Sequence, residues 1–441
     1  MKILFISYLS QPSDRIGAVR PSNLVQWLSA FGHEVTLVTS NPDAAERFDE
    51  TVDVQVVGHS ELIQKGQDKL AARAKAKKAA GEKPHDYIIP SDGNNRKKLL
   101  SREMFYSVRL WVWTWLCQQD WFFRCRKHLR HRLKREYDVV LSCFGPLGCL
   151  LLGRWAHRKG YGRVWVSDMR DPIANTMQNP MEYRYSQYLE RSVLRQADRV
   201  IMVSAGEAEY MRSMAADERQ RQKVTFLENG FEPVQIKTET ATDGILRIVY
   251  TGQLYGVHSD ATALLNAARR IWEETGLPIQ IHYAGPHSYQ FVAMAKSCCA
   301  EALVEDHGML PREQALALQA AADILCVLTW NDCQAAGHLP GKFWEYLRAD
   351  KPILSLCSGS VPEAELTRRV RELGVGFAYE YAAADESGLE NYLRQAAENK
   401  SAGLPVPFEP VADKVLDYRY DNRAKRMADI CRSVLESKGQ A

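Results

Sequence analysis

The chain has 441 residues, 46% of them hydrophobic and 25% charged, with a formal net charge of +3. A composition at the globular average excludes a fibrous repeat, wholesale disorder and a uniformly basic nucleic-acid-binding protein. The length exceeds what one hydrophobic core holds, so two domains of about 200 residues each are expected.

The first apolar run, Ile3 to Ser7, ends at a polar loop containing Gly17. A helical pattern follows from about Pro21 to Phe31, closed by Gly32, and a second run starts at Glu34 (EVTLVTS). Strand, loop, helix and strand in this order make a βαβ unit and hence a parallel sheet. Lys65 to Lys98 is rich in Ala, Lys and Gly and reads as an arm or a solvent-exposed helix. It belongs to a basic insertion over about 62–135. Lys65 to Arg135 carries 19 Lys and Arg against 6 Asp and Glu, a net +13, while the remainder carries −10. That asymmetry suits an anionic membrane or a phosphate-rich surface touching one region, with a solvated excursion as the other reading. The aromatic stretch near Arg109 to Phe123 is interrupted by Gln118, Gln119 and Asp120, too short an apolar run to span a bilayer.

Further strands are predicted at YDVVLSC (137–143), RVWVSD (163–168) and DRVIMVS (198–204), each followed by a loop and a helix-period segment such as 183–197. The pattern resets after Glu228 to Pro233, and the polar stretch 234–244 reads as a linker. A second series begins at ILRIVYTG (245–252) and continues through IQIHYAG (279–285), ALVEDHG (302–308), ADILCVL (322–328) and KPILSLC (351–357). The fold class is therefore α/β, two Rossmann-like domains facing across a cleft, over 1–233 and 244–410. A closing helix over 411–441 crosses back to the first domain or lies on the surface. Ten cysteines without a Cys-x-x-Cys spacing read as reduced, buried side chains. The opening apolar run is too short for a signal peptide, so a cytoplasmic location is expected, peripheral to the membrane if the basic segment docks there.

Ligands of open parallel sheets gather beyond the carboxyl ends of the strands. The candidates are Gly17 and Arg20 in the first loop, Asp168, Arg170 and Asp171 after a later strand, and Gly252, His307 and Gly308 in the second half. HLPGKFWEYL is the most informative string: Gly341 and Lys342 open a helix whose amides suit a diphosphate, and Glu345 one turn on suits two ribose hydroxyls. An ordinary capped surface helix is the plainer reading. Neither a Walker loop nor a dinucleotide fingerprint is present.

GKFWEYLRADKPIL, VYTGQLYG, HGMLPREQALALQAAADILCVL, SDMRDP and ENGFEP, taken in this order, resemble the retaining glycosyltransferases of the GT-B fold in family 4, which includes bacterial polysaccharide and glycolipid transferases. The resemblance covers nearly the whole chain. It implies sugar transfer from a nucleotide diphosphate donor, a UDP- or GDP-sugar, to a glycan or lipid-linked acceptor hydroxyl with retention. No metal or cofactor is implied, and no nucleic acid. Glu345 resembles the ribose-binding second Glu of the family pair. Gly337 stands where the first belongs, which leaves His338 or backbone amides as substitutes.

The family's diphosphate-neutralising Arg and Lys fall on Gln253 and His258, so Lys342 is the strongest cationic candidate. Met309 and Leu310 resemble the segment that holds the base, and Gly17 lies on a loop that approaches the donor phosphates. Arg170 takes roughly the place of a family His near the transferred sugar. Arg170, Asp171 and Lys342 are the catalytic candidates, with Arg20 and Asp168 on the acceptor side. The departures also admit a GT-B scaffold whose donor site has decayed, and the fold admits a nucleotide-sugar epimerase.

Overall fold

A computed structural model of the chain describes residues 1–13, 16–79, 102–175, 178–233, 241–332 and 337–439. Much of the expected arm (80–98) and most of the expected linker (234–240) lie outside these residues. The chain forms two units: Met1–Val203 with Ala208–Leu227 and Ala424–Ala441, and Ser204–Glu207 with Glu228–Arg423.

The first unit is built on seven parallel strands, β1 (Lys2–Ile6), β2 (Glu34–Thr39), β3 (Val52–Val56), β4 (Tyr137–Cys143), β5 (Gly162–Arg170), β6 (Arg199–Met202) and β7 (Val224–Phe226), in the order β3-β2-β1-β4-β5-β6-β7. The second has six, β8 (Leu246–Thr251), β9 (Ile279–Ala284), β10 (Val304–Asp306), β11 (Ile324–Trp330), β12 (Ile353–Ser358) and β13 (Gly376–Glu380), in the order β10-β9-β8-β11-β12-β13. Each sheet reverses its winding once, between β1 and β4 and between β8 and β11. Loops leaving the two strands at a reversal diverge and open a crevice at their carboxyl ends.

The central strands read as unbroken apolar runs because both of their faces are covered. Leu4, Ile6, Val140 and Trp165 pack on one side of the first sheet. Ile3, Phe5, Val139 and Leu141 pack on the other, against Met427, Cys431 and Val434 of the helix Tyr420–Gly439. The expected single closing helix is in fact two pieces, Ala412–Leu416 and Tyr420–Gly439. The break lets Tyr418 and Tyr420 pair through their backbones with Phe231. In the second unit Ile248, Tyr250, Ile281 and Cys326 face one way, and Val249, Leu325, Val327 and Phe343 the other. Strands β3, β7 and β13 were not expected. All three lie at or next to a sheet edge, and they are short or interleaved with polar residues, which removes the periodic signal.

Among the described residues the basic segment contributes two helices, Glu61–Ala79, in the stretch read as an arm or exposed helix, and the longer Arg102–Arg132. Cys117, Trp121, Cys125 and Leu129 recur every four residues along it and are buried, the spacing that puts them on one face. The Trp121 indole also donates to the Val57 carbonyl at 2.8 Å. Among the described residues no helix is long and apolar enough to cross a membrane, and nine cysteines are free, all buried except Cys299. Trp121→Ala should cost the first unit about 3–5 kcal/mol in chemical denaturation, the range for removing a fully buried aromatic ring.

Candidate functional site

At the reversal of the first sheet, Arg20 and Asp168 form a forked ion pair. Nε to Oδ2 and Nη2 to Oδ1 are both 2.9 Å, with side chains 2% and 0% exposed. Charge-assisted forked pairs of this kind are strong and directional. The pair ties the helix Val19–Ala30 to β5. Neither residue, expected on the acceptor side, presents its side chain to solvent.

The β5 register shifts between Asp168 and Arg170, so Asp168 turns inward while Arg170, at φ 60°, reaches the first loop and donates to the Gly17 carbonyl at 3.2 Å. A Cβ on Gly17 would sit 2.9 Å from the Leu9 side chain and 3.3 Å from the Arg170 guanidinium, so a larger residue there would make both side chains shift. Asp171, 59% exposed, lies 4.0 Å from Arg170. Buried Glu190 holds the loop beyond it by accepting from the amides of Ile173 and Ala174 at 2.6 and 3.0 Å.

Sequence reasoning missed a relay beside this loop. The Tyr8 hydroxyl lies 2.7 Å from His59 Nε2, and His59 Nδ1 lies 3.1 Å from Asp120. Burial raises the Asp120 carboxyl, yet the hydrogen bonds from Ser60 and His59 outweigh it and leave its pKa below the usual range. No local pattern links these residues, because β1, the segment after β3 and the long helix meet only in the fold.

In the second unit the helix Gly341–Leu347 follows Pro340, which offers no side-chain cap, so the Gly341 and Lys342 amides have no intrahelical acceptor. Glu345 Oε1 accepts from Lys342 Nζ at 2.9 Å and from Gln319 at 2.7 Å. Gln319 in turn donates to Thr251 at 2.7 Å, and Thr251 binds the buried Tyr346 hydroxyl. Burial would raise the Glu345 carboxyl, but the Lys342 ammonium and these hydrogen bonds more than offset it, and the Arg312 charge adds to them. The carboxylate is thus held anionic, and Lys342 and Glu345 form one unit. Arg312, which opens the helix Arg312–Ala321, was not foreseen as part of the site.

Gln253 is exposed, and its carbonyl accepts from Tyr250 at 2.7 Å. The Gly252 carbonyl accepts from Tyr283 at 3.1 Å, so both residues sit on a loop fixed by tyrosines. Trp330, at the end of β11, gathers the histidines: His338 stacks on it at 4.3 Å and His258 lies at 4.9 Å. Gly308 turns at φ 61° and presents Met309, 63% exposed, with half-buried Leu310 beside it. Gly337 takes φ 91°, and a Cβ there would lie 2.7 Å from Gly206 and 2.9 Å from the Glu207 amide. The position has no room for any side chain.

Asp168→Ala should lower unfolding stability by about 3–5 kcal/mol by stranding a buried guanidinium. In the wild type, the depressed Glu345 pKa gives stability that is present above its ordinary value of 4.5 and lost as pH falls through the folded value. In Lys342→Met burial dominates and the pKa moves up, so stability is instead lost as pH rises through it. Titration of the Glu345 carboxyl by NMR in both proteins checks the reversal of sign.

Residues 17–230 match the family model described as Glycosyl transferase 4-like domain. No curated protein matches the sequence. Among solved structures, the chain is similar to the apo form of the lipopolysaccharide outer core galactosyltransferase WaaB, at 13% identity over 98% of this chain and 99% of that one, with a TM-score of 0.56. Sucrose-phosphate synthase from Thermosynechococcus elongatus matches at 13% identity over 99% and 100%, with a TM-score of 0.60. WaaG, a glycosyltransferase involved in lipopolysaccharide biosynthesis, matches at 12% over 99% and 98%, with a TM-score of 0.50. At such identities the likeness is one of fold. The chain accordingly has the GT-B fold of two Rossmann-like domains, and its residues 17–230 match a glycosyl transferase 4-like domain.

Proposed function

We propose that the chain transfers a sugar, with retention, from a nucleotide diphosphate donor to an acceptor hydroxyl in cell-surface polysaccharide or glycolipid synthesis, the second unit holding the donor. The observation that carries this reading is the Glu345 carboxylate. It sits at the reversal of the second sheet and is kept anionic by Lys342 and Gln319. Its Oε2 accepts no hydrogen bond among the described residues and is suited to a ribose diol. Lys342, Arg312 and the Gly341 and Lys342 amides supply positive charge for a diphosphate whose negative charge grows as the anomeric bond breaks. Met309 and Leu310 offer backbone and apolar contact to the base. No metal is needed for this chemistry. Arg170 and Asp171 belong to the first unit, to which the acceptor is assigned.

UDP or GDP should raise the melting temperature of the wild-type chain. Loss of one charge-assisted hydrogen bond is worth about 1.5–3 kcal/mol, so Glu345→Gln should weaken nucleotide binding by roughly ten- to a hundredfold in calorimetry. Unchanged affinity in a folded Glu345→Gln protein overturns the assignment. Binding without turnover of any donor points to the decayed scaffold, and conversion of free nucleotide sugar without an acceptor points to the epimerase.

The acceptor is lipid-linked on this reading, reached at an anionic membrane by the helix Arg102–Arg132. Phe105, Tyr106, Leu110, Val112, Leu116 and Phe123 are exposed along it, ahead of Arg124, Lys127, Arg130, Arg132, Lys134 and Arg135. The tryptophans of this helix pack inward. Trp121 is buried, Trp115 donates to Tyr185, Trp111 meets the same ring edge-on, and Trp113 lies over Gly66. Arg126, Arg130 and Arg135 each lie over an aromatic ring.

Each Lys or Arg near an anionic surface contributes about 1 kcal/mol. In liposome co-sedimentation, binding should require anionic lipid, weaken with salt, and fall when Arg130, Arg132, Lys134 and Arg135 become Glu. Equal sedimentation with neutral vesicles, or none with either, removes the membrane role.

A further inference from the structure

On the edge of the second sheet, away from Glu345 and Lys342, three side chains converge that the transfer reaction does not use. His282 on β9 is the register partner of Glu305 on β10, so the two point to the same face of the sheet. His307 lies two residues beyond Glu305 and returns to that face by the strand's alternation. Its amide donates to the Tyr283 carbonyl at 2.9 Å, which keeps it in register past the end of the strand.

His282 Nδ1 lies 3.0 Å from His307 Nε2 and 3.4 Å from Glu305 Oε2. His307 Nε2 lies 3.7 Å from Glu305 Oε1. One ligand atom from each residue falls within 4.8 Å of the others.

We propose that His282 Nδ1, His307 Nε2 and the Glu305 carboxylate bind one divalent transition-metal ion of the zinc class, with water in the remaining position. A tetrahedral zinc ion with bonds of about 2.0–2.1 Å sets its ligand atoms roughly 3.3 Å apart, between the 3.0 Å that separates the two ring nitrogens and the 3.4 Å from His282 Nδ1 to Glu305 Oε2. Two imidazole nitrogens and one carboxylate oxygen also match the ligand preference of zinc and its neighbours over calcium or magnesium. The site is half enclosed: the His282 side chain is 7% exposed, His307 23% and Glu305 56%, so one wall is fixed and the carboxylate side is open to an entering ion. His282 Nε2 is buried with no hydrogen-bond partner, so the polar contacts of this ring all lie on its Nδ1 side.

The ion has a structural consequence. It clamps β9 to the start of the loop that carries Gly308, Met309 and Leu310, which otherwise leaves β10 after three strand residues. The ligands supply no acid, base or nucleophile to the transfer reaction.

The test is calorimetric titration of zinc chloride into the full-length, tag-free chain stripped with chelator. One ion should bind per chain and raise the melting temperature, and Co2+ in its place should give the intense visible absorption of a tetrahedral site. Loss of one direct ligand should weaken binding at least about tenfold, so His307→Gln and Glu305→Gln should each lose most of the affinity and the thermal shift. Cys299→Ser, which removes the exposed thiol, should change neither. Failure of the wild type to take up zinc overturns the proposal. So does equal affinity in folded His307→Gln and Glu305→Gln chains, or loss of binding in Cys299→Ser alone.

Discussion

A parallel strand whose faces are both covered by helices can carry almost no polar side chain along its length, since a buried polar group without a partner costs more than most packing contacts return. Both sheets follow this constraint for large polar and charged side chains, small hydroxyls such as Ser167, Thr329 and Ser355 being the exceptions, and much of the chemistry of the chain follows from it. Arg20 and Asp168 are admitted to the interior only as a forked pair. Thr251 at the end of β8 is admitted because the Tyr346 hydroxyl and the Gln319 amide satisfy it. Groups able to meet a ligand are pushed to the carboxyl ends of the strands, where the winding reverses and the loops part.

The pairing of Lys342 with Glu345 shows what such a position does to charge. A carboxylate buried alone would take up a proton, and an ammonium beside it prevents this. Each residue sets the state of the other, so neither can be read as an independent donor or acceptor. The same logic accounts for His258 and His338, which flank the Trp330 ring and whose recognition of a ligand would run through an aromatic surface as much as through charge. In the first unit Glu190, spent on two loop amides, positions Arg170 and Asp171 without facing solvent itself.

Glycine marks two places where the backbone decides chemistry. At Gly17 the missing side chain lets the Arg170 guanidinium reach a main-chain carbonyl. At Gly337 the left-handed backbone and the nearness of Gly206 leave no room for the carboxylate that the family pattern has there.

Read alone, the sequence determined the repeated βαβ order, the apolar strands at the centre of both sheets, the reset between the halves, and the string around Gly341 to Glu345. These are local signals: apolar periodicity and turn residues act over a few positions, and parallel strands buried on both faces write themselves as continuous runs. Tertiary structure alone decided who meets whom. Arg20 and Asp168 are 148 positions apart, Gln319 reaches Glu345 from another helix, and the tryptophans of the long helix turn inward because the first unit's sheet and helices lie beneath them. The convergence of His282, Glu305 and His307 likewise depends on the register of β9 against β10. Pair identities of this kind are set by strand order and register, which the whole fold fixes at once and no stretch of chain contains.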